Sequence, residues 1–437
     1  MLAACSDDDS FTSSRSHLLT FTSDTLKMDT IFSNTGSSTY TFWVYNHSGD
    51  GIRISSVRLA GGNQTGFRVN VDGTFLDNTL GSVANDLEVR QGDSLRVFVE
   101  LTAKANGHPD PQEVKDYLVF TLESGAEQRV LLHACSWDAQ KLTDLAISRD
   151  TTLQWAMPVV LYGRGIVVDS GAVLTLRHTT LYFHDQAGIT VRGTLRTDSV
   201  VLRGDRLDHM FPYLPYNRVS GQWAGIVFER PSTANSLNST QIINAMTAIK
   251  MEAPAELDSI NPRLTMNYCM VHNAKGDGIS AVNSNIVLTR CQLTNTLGDC
   301  LALYGGIAQV SHCTLAQFYP FDGGRGYALV FGNELRNQVY PLSRLHCDST
   351  IVTGYADDEV MFYHTDSAGV ALQYRFADCL LRTPAVADDT VSFKRMQWET
   401  PKDSVQGKQH FVTIDEQNLI YDFHLDSIST AKGKGCY

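Results

Sequence analysis

The feature that most constrains this chain is a repeat of about 22 residues. Thr240, Cys269, Cys291 and Cys313 stand 29, 22 and 22 residues apart. Two residues after each comes an aliphatic side chain: Ile242, Val271, Leu293 and Leu315. Four residues after each comes Asn244, Asn273, Asn295 or Gln317. Gly276-Asp277-Gly278-Ile279 and Gly298-Asp299-Cys300-Leu301 then recur in phase. One such unit cannot bury its own apolar face, so fixed phase implies stacked coils. The segments are strand-like and short, which predicts a parallel β-helix with equivalent residues about 4.8 Å apart on neighbouring rungs. General crossover chirality makes a right-handed coil the expectation. The aliphatics should point inward, and the corner Asn side chains should bond to the rung below. Cys347 and Cys379 are expected close to the cysteine phase, with all these thiols reduced and buried as small hydrophobes. No Cys-x-x-Cys occurs, and equal spacing along one face does not converge on a metal.

The repeat occupies only part of the chain. Residues 18–140 read instead as longer alternating strands. Leu95-Arg96-Val97-Phe98-Val99-Glu100-Leu101 has strict period two, and Tyr117–Leu122 with Gln128–Leu132 predicts a hairpin across Glu123-Ser124-Gly125. Several such strands without a helical stripe predict an antiparallel β-sandwich. The expected organisation is therefore all-β: a tether over 1–17, a sandwich over 18–140 and a β-helix over 141–437.

Charge narrows the partners. Thirty-five basic against forty-seven acidic residues give a formal net charge of −12. That argues against unaided binding to nucleic acid or to an anionic lipid surface. No apolar run approaches the roughly 18 residues of a membrane helix.

The first residues suggest an address. Leu2-Ala3-Ala4-Cys5 resembles a bacterial lipobox, and Ser6-Asp7-Asp8-Asp9 behind it resembles the export signal of Bacteroidota surface lipoproteins. The resemblance implies lipid on Cys5, anchorage to the outer membrane and a surface-exposed location. Triplets such as Asp258-Ser259-Ile260, Asp389-Thr390-Val391 and Asp426-Ser427-Ile428 resemble the O-glycosylation acceptors of exported proteins in that group. The 18–140 block resembles the immunoglobulin-like modules that follow such tethers, although Cys135 stands alone there. Val168-Asp169-Ser170-Gly171-Ala172-Val173-Leu174-Thr175-Leu176, Gly188–Leu195 and Gly221-Gln222-Trp223-Ala224-Gly225-Ile226 resemble rungs of right-handed parallel β-helix proteins. Tyr421-Asp422-Phe423-His424-Leu425 resembles their terminal coil.

Two readings of function compete, with a third behind them. Polygalacturonase-like and pectate-lyase-like helices carry sets of catalytic strings on neighbouring rungs, and no such set occurs here. Asp277 and Asp299 share a phase and form the one candidate catalytic pair, able to act as acid and nucleophile or to hold calcium. The same Asp also closes a turn in each coil, which is the simpler reading. No other cofactor or metal is called for. Asp357-Asp358-Glu359 reads as a solvated acidic loop, and the scattered histidines, His272 among them, read as turn or surface residues. The stronger signal lies in two interruptions of the repeat. One carries Phe211, Tyr213, Tyr216 and Arg218; the other carries Phe318, Tyr319, Phe321 and Arg325. Aromatic rings beside charges suit a sugar-binding face. The leading expectation is a non-catalytic binding or adhesion scaffold, for glycan or for a surface protein. The alternatives are a polysaccharide lyase or glycoside hydrolase, and a structural subunit of a surface assembly.

Overall fold

The computed structural model describes residues 10–76, 79, 81–365, 369–386, 388–399 and 407–437. Among these, no helix is long and apolar enough to cross a membrane. The chain divides into two units: residues up to Ala139 together with Arg206–Tyr216, and Gln140–Asp205 together with Asn217–Tyr437.

The first unit is built on two five-stranded sheets. One runs Thr20–Phe21, Tyr40–Tyr45, Ser94–Leu101, Phe67–Val71, Thr74–Phe75, all antiparallel. The other runs Thr25–Phe32, Glu127–Trp137, Gln112–Leu122, Ile52–Leu59, Val83–Val89. Period-two alternation sends Leu95, Val97, Val99 and Leu101 to one face, where they join Ile54, Val57, Leu118, Phe120, Val130 and Leu132 of the facing sheet in one core. The hairpin across Glu123-Ser124-Gly125 forms, pairing Gln128 with Phe120. One pairing departs from the antiparallel expectation: Thr25–Phe32 lies parallel to Glu127–Trp137, with a register shift between His133 and Cys135.

The second unit contains a 24-stranded sheet coiled into a parallel β-helix. Leu181, Leu202, Ile242, Val271, Leu293, Leu315, Val352 and Leu381 pair rung to rung in one ladder. Ile166, Ile189, Ile226, Ile249, Ile279, Leu301 and Leu329 form a second. Leu237, Met266, Leu288, Val310, Cys347 and Phe376 form a third. All these residues belong to one buried core. Burying each large aliphatic contributes about 2 kcal/mol before chain entropy is charged.

The cysteine phase has a local cause. Tyr268, Arg290, His312 and Asp378 each adopt left-handed backbone with φ between 51° and 55°. The next residue is Cys269, Cys291, Cys313 or Cys379, whose Sγ donates to the carbonyl two positions back. Ser239 and Ser349 precede Thr240 and Thr350 in the same backbone state, and those hydroxyls donate to Asn238 and Asp348. The position requires a small side chain with a proton to give, so Thr and Cys interchange there. Cys347 is not a member. It pairs with Val310 and Phe376 in another ladder, and Thr350 takes the turn position. The described cysteines are all free thiols.

Glycine is needed where rungs meet most closely. Gly165, Gly188 and Gly225 are in register, and a Cβ on Gly225 would stand 1.8 Å from the Thr247 carbonyl oxygen. In the same string Trp223 is buried, stacks on Phe183 at 4.4 Å between centroids, and donates Nε1–H to the Ile243 carbonyl.

The terminal segment corrects the sequence reading. Ile420–Leu425 is not a coil of the helix but pairs antiparallel with Phe411–Asp415. Phe411 and Phe423 pack with Phe318, Ala316, Ile351, Leu380 and Ala431 in a separate cluster on an outer face of the helix.

Candidate functional site

Residues flanking an inward strand position point outward. On the rungs of the Ile242–Val271–Leu293 ladder this turns Gln241, Met270 and Gln292 to the outer face in one column and Ile243 and His272 in the next, with Gln292 covered. These side chains form the floor of a cleft of about 350 Å³. Tyr421, Asp422, Phe423 and His424 of the terminal hairpin, Tyr437, Asn217, Arg218 and Arg203 complete its lining. The hairpin is held over this face by ring contacts: His272 lies edge-on to Phe423, and Tyr421 stacks with Phe423 at 6.2 Å between centroids. Tyr437 donates its hydroxyl proton to Gln292 Oε1.

The cleft adjoins a small recess of about 10 Å³, sharing Arg218, His272 and Tyr421 with it. Asn273, Asn295, Pro320, Phe321 and Leu419 line the rest. Asn295 is 1% exposed, with φ of 56° at the corner of its rung. Its Oδ1 accepts the Phe318 N–H, while Nδ2 has no partner. The Tyr421 hydroxyl is likewise buried without a partner. Burial holds the Tyr421 phenol well above its usual range, so it keeps its proton. Burial, reinforced by the Arg218 charge, lowers His272 to about 4, so its imidazole is neutral near pH 7. Arg218 has no ion pair among the described residues, and the Asp422 carboxylate in the cleft is engaged by the backbone N–H and ring of His424.

Of the sequence candidates, Arg218 and Phe321 therefore meet at one recess. Phe321 remains 47% exposed. Phe318 and Tyr319 do not serve as exposed rings. Phe318 is fully buried beneath the terminal hairpin, and Tyr319 is 4% exposed with its hydroxyl hydrogen-bonded to Ser220. Arg325 is spent on its own loop, donating to the Tyr319 and Asp322 carbonyls and lying over the Tyr355 ring. Phe211, Tyr213 and Tyr216 belong to the first unit. There Asp208 accepts from Ser38 N–H and pairs with Arg206, and His209 bonds to Asp29. Phe211 and Tyr213 stack on each other and are exposed, whereas Tyr216 is half-buried with the Arg206 guanidinium over its ring. Cys5 lies outside the described residues.

Asp277 and Asp299 are neighbours on consecutive rungs. Asp277 Oδ1 accepts the Asp299 N–H at 3.0 Å, and Asp299 Oδ1 accepts the Tyr327 N–H at 2.8 Å. Each thus closes the turn of the next coil. Burial raises both carboxyls, Asp299 to about 6, with the Asp277 charge adding to the effect. Nearby Tyr304 is pushed up to about 12 by burial and by both carboxylates. Glu359 corrects the reading of its acidic loop: it is fully buried, accepts the Ala328 and Ala356 N–H groups, and is raised by burial to about 8. No group of His, Cys, Asp and Glu able to hold a metal ion occurs among the described residues.

No family profile matches the chain, and no curated protein matches it. Among solved structures, the catalytic domain of a GH87 alpha-1,3-glucanase in complex with nigerose is 8% identical, covers 83% of this chain and 87% of its own, and superposes with a TM-score of 0.31. The catalytic unit of a thermostable GH87 alpha-1,3-glucanase from Streptomyces thermodiastaticus is 10% identical over 82% of this chain and 89% of its own, with a TM-score of 0.21. The VesB protease of Vibrio cholerae is 13% identical over 27% of this chain, with a TM-score of 0.18, and the match spans about a third of the protease, 31%.

Proposed function

We propose that this chain is a glycan-binding scaffold of the bacterial cell surface, and that the cleft on the outer face of the β-helix is where the sugar sits. The observation that carries the reading is the convergence of rings and donors at one place. Tyr421 and Phe321 supply aromatic surface, and Gln241, Asn217 and Arg218 supply hydrogen-bonding groups beside it. Rings pack on the C–H faces of pyranoses while amides and guanidinium groups fix hydroxyls. The test is retention on a glycan array, repeated with Phe321→Ala and Arg218→Ala. Loss of retention in both variants, without released product, supports the scaffold. Retention unchanged in both would remove the cleft from consideration.

A hydrolase is the second reading, favoured by the raised Asp299 beside Asp277. A carboxyl near 6 can serve as a proton donor close to neutrality. Its measure is oligosaccharide release abolished by Asp299→Asn. On the same footing we propose outer-membrane anchorage through lipid on Cys5, supported by Leu2-Ala3-Ala4-Cys5 and the acidic run behind it. Loss of fatty-acid labelling in Cys5→Ala is the expected result.

A further inference from the structure

The recess beside the cleft is lined by hydrogen-bond donors whose own needs are unmet. Asn295 Nδ2 is one: its amide oxygen accepts the Phe318 N–H, while its amide nitrogen has no partner. The Tyr421 hydroxyl is a second. The Arg218 guanidinium, with no ion pair among the described residues, is a third. His272 lines the recess as a neutral ring, its Nδ1 sharing a hydrogen bond with Thr294 Oγ1 at 2.8 Å. A buried donor left unsatisfied destabilises the unliganded protein and favours a ligand that accepts from it. A sugar hydroxyl brings a donor of its own and would waste part of this set. A carboxylate brings two oxygens that only accept, with a charge to match the guanidinium. About 10 Å³ holds one water-sized group, which suits the tip of a planar carboxylate.

We propose that this recess takes the carboxylate of a uronic-acid residue, with the sugar ring lying in the adjoining cleft against Tyr421. The inference deepens the glycan reading and rests on it. The acidic net charge of the chain makes the selectivity local: Arg218 and the neutral donors attract the carboxylate at one point, not the surface as a whole. The bound residue is therefore recognised at a single carboxylate, with neighbouring sugars held by rings and amides.

The experiment is titration of the full chain with oligomers of galacturonate, glucuronate, mannuronate and guluronate, each beside its form with carboxyl groups reduced to primary alcohols. At least one acid oligomer is expected to bind tenfold or more tightly than its reduced form. Arg218→Gln should weaken the acid form at least tenfold more than the reduced form, so that the preference for the acid is lost. Asn295→Asp, which replaces the free donor by an anion, should do the same, and circular dichroism checks that both variants fold. Equal binding of acid and reduced oligomers overturns the carboxylate recess while leaving the glycan reading intact. No binding of any oligomer, acid or reduced, overturns both. Binding of a peptide through its terminal carboxylate, with no uronate bound, overturns the saccharide assignment.

Discussion

Replacing Tyr421 by Phe should make the protein more stable and the site weaker. The phenol oxygen is buried and unpartnered, so in the unliganded protein it has lost water without gaining a bond. A buried polar group in that state costs about 1–3 kcal/mol. The substitution keeps the ring, its stacking on Phe423 and its contact with His272, and removes only the oxygen. With the residue half-buried overall, a gain of about 1 kcal/mol is expected. That is a rise in melting temperature of about 2 °C for a unit of this size. The ligand should feel the opposite sign. One hydrogen bond to a charged acceptor is worth about 1.5–3 kcal/mol, so affinity should fall about tenfold to a hundredfold. Differential scanning fluorimetry and titration calorimetry on the same two proteins read both effects. A fall in melting temperature would show that the hydroxyl supports the fold, and unchanged affinity would show that no ligand reaches it. Either result refutes the reasoning.

Cys291→Thr should leave stability within about 0.5 kcal/mol, because Thr240 and Thr350 already fill that turn position, whereas Cys291→Val loses the donor and should cost about 1 kcal/mol in urea titration. Burial raises Asp299 from 3.8 to about 6, so ionising it in the folded chain costs free energy. Its contribution is full below pH 4 and lost as pH rises through about 6, a change of about 3 kcal/mol, and the urea midpoint of Asp299→Asn should show that much less dependence on pH between 4 and 7. Arg263 donates to the Phe228, Glu229, Ser232 and Glu252 carbonyls and to the Ser232 and Ser284 hydroxyls, and Arg263→Met should destabilise the chain by about 3–5 kcal/mol in the same assay. Ile260, Val391 and Ile428 are 84%, 78% and 82% exposed, and in each triplet the Asp accepts the N–H of that aliphatic. Intact mass of the protein purified from its native host should show glycan that Ser259→Ala, Thr390→Ala and Ser427→Ala remove together.

The rungs were legible because side-chain type is preserved at fixed phase, and the phase is a packing requirement repeated every coil. Ile242, Val271, Leu293 and Leu315 face one another for the reason that made them visible. Cys347 misled because the repeat conserves a capability, a small donor behind a left-handed residue, and not an element. Thr350 meets that requirement three residues later. The terminal hairpin was not legible as a hairpin. Period-two alternation is the same in a rung strand and in a strand lying on top of the rungs, and partner direction is not written locally. Phe318 followed from that: with Ile420–Leu425 read as a coil, nothing in the sequence placed Phe411 and Phe423 above it. Tyr421, Phe423 and His272 were missed as site residues for the same reason. The one local sign of the hairpin was Asp415-Glu416-Gln417-Asn418, where Asp415 accepts two backbone N–H groups of the turn.

Regular coiling by itself works against a binding site. It stacks like residues in columns about 4.8 Å apart and offers a flat outer face with no point of convergence. The cleft exists because three stretches outside the repeat meet over two adjoining columns of rung residues. Arg218 follows the first interruption, Phe321 sits in the second, and Tyr421 and Phe423 lie on the hairpin that crosses the rungs. The rungs contribute the floor and, through Asn295, a corner amide. Its counterpart one coil earlier, Asn273, spends that amide on Asn244. The same corner thus stabilises the solenoid on one rung and faces the recess on the next. What separates the two is the neighbourhood brought by Phe321, Leu419 and Tyr421, not the repeat.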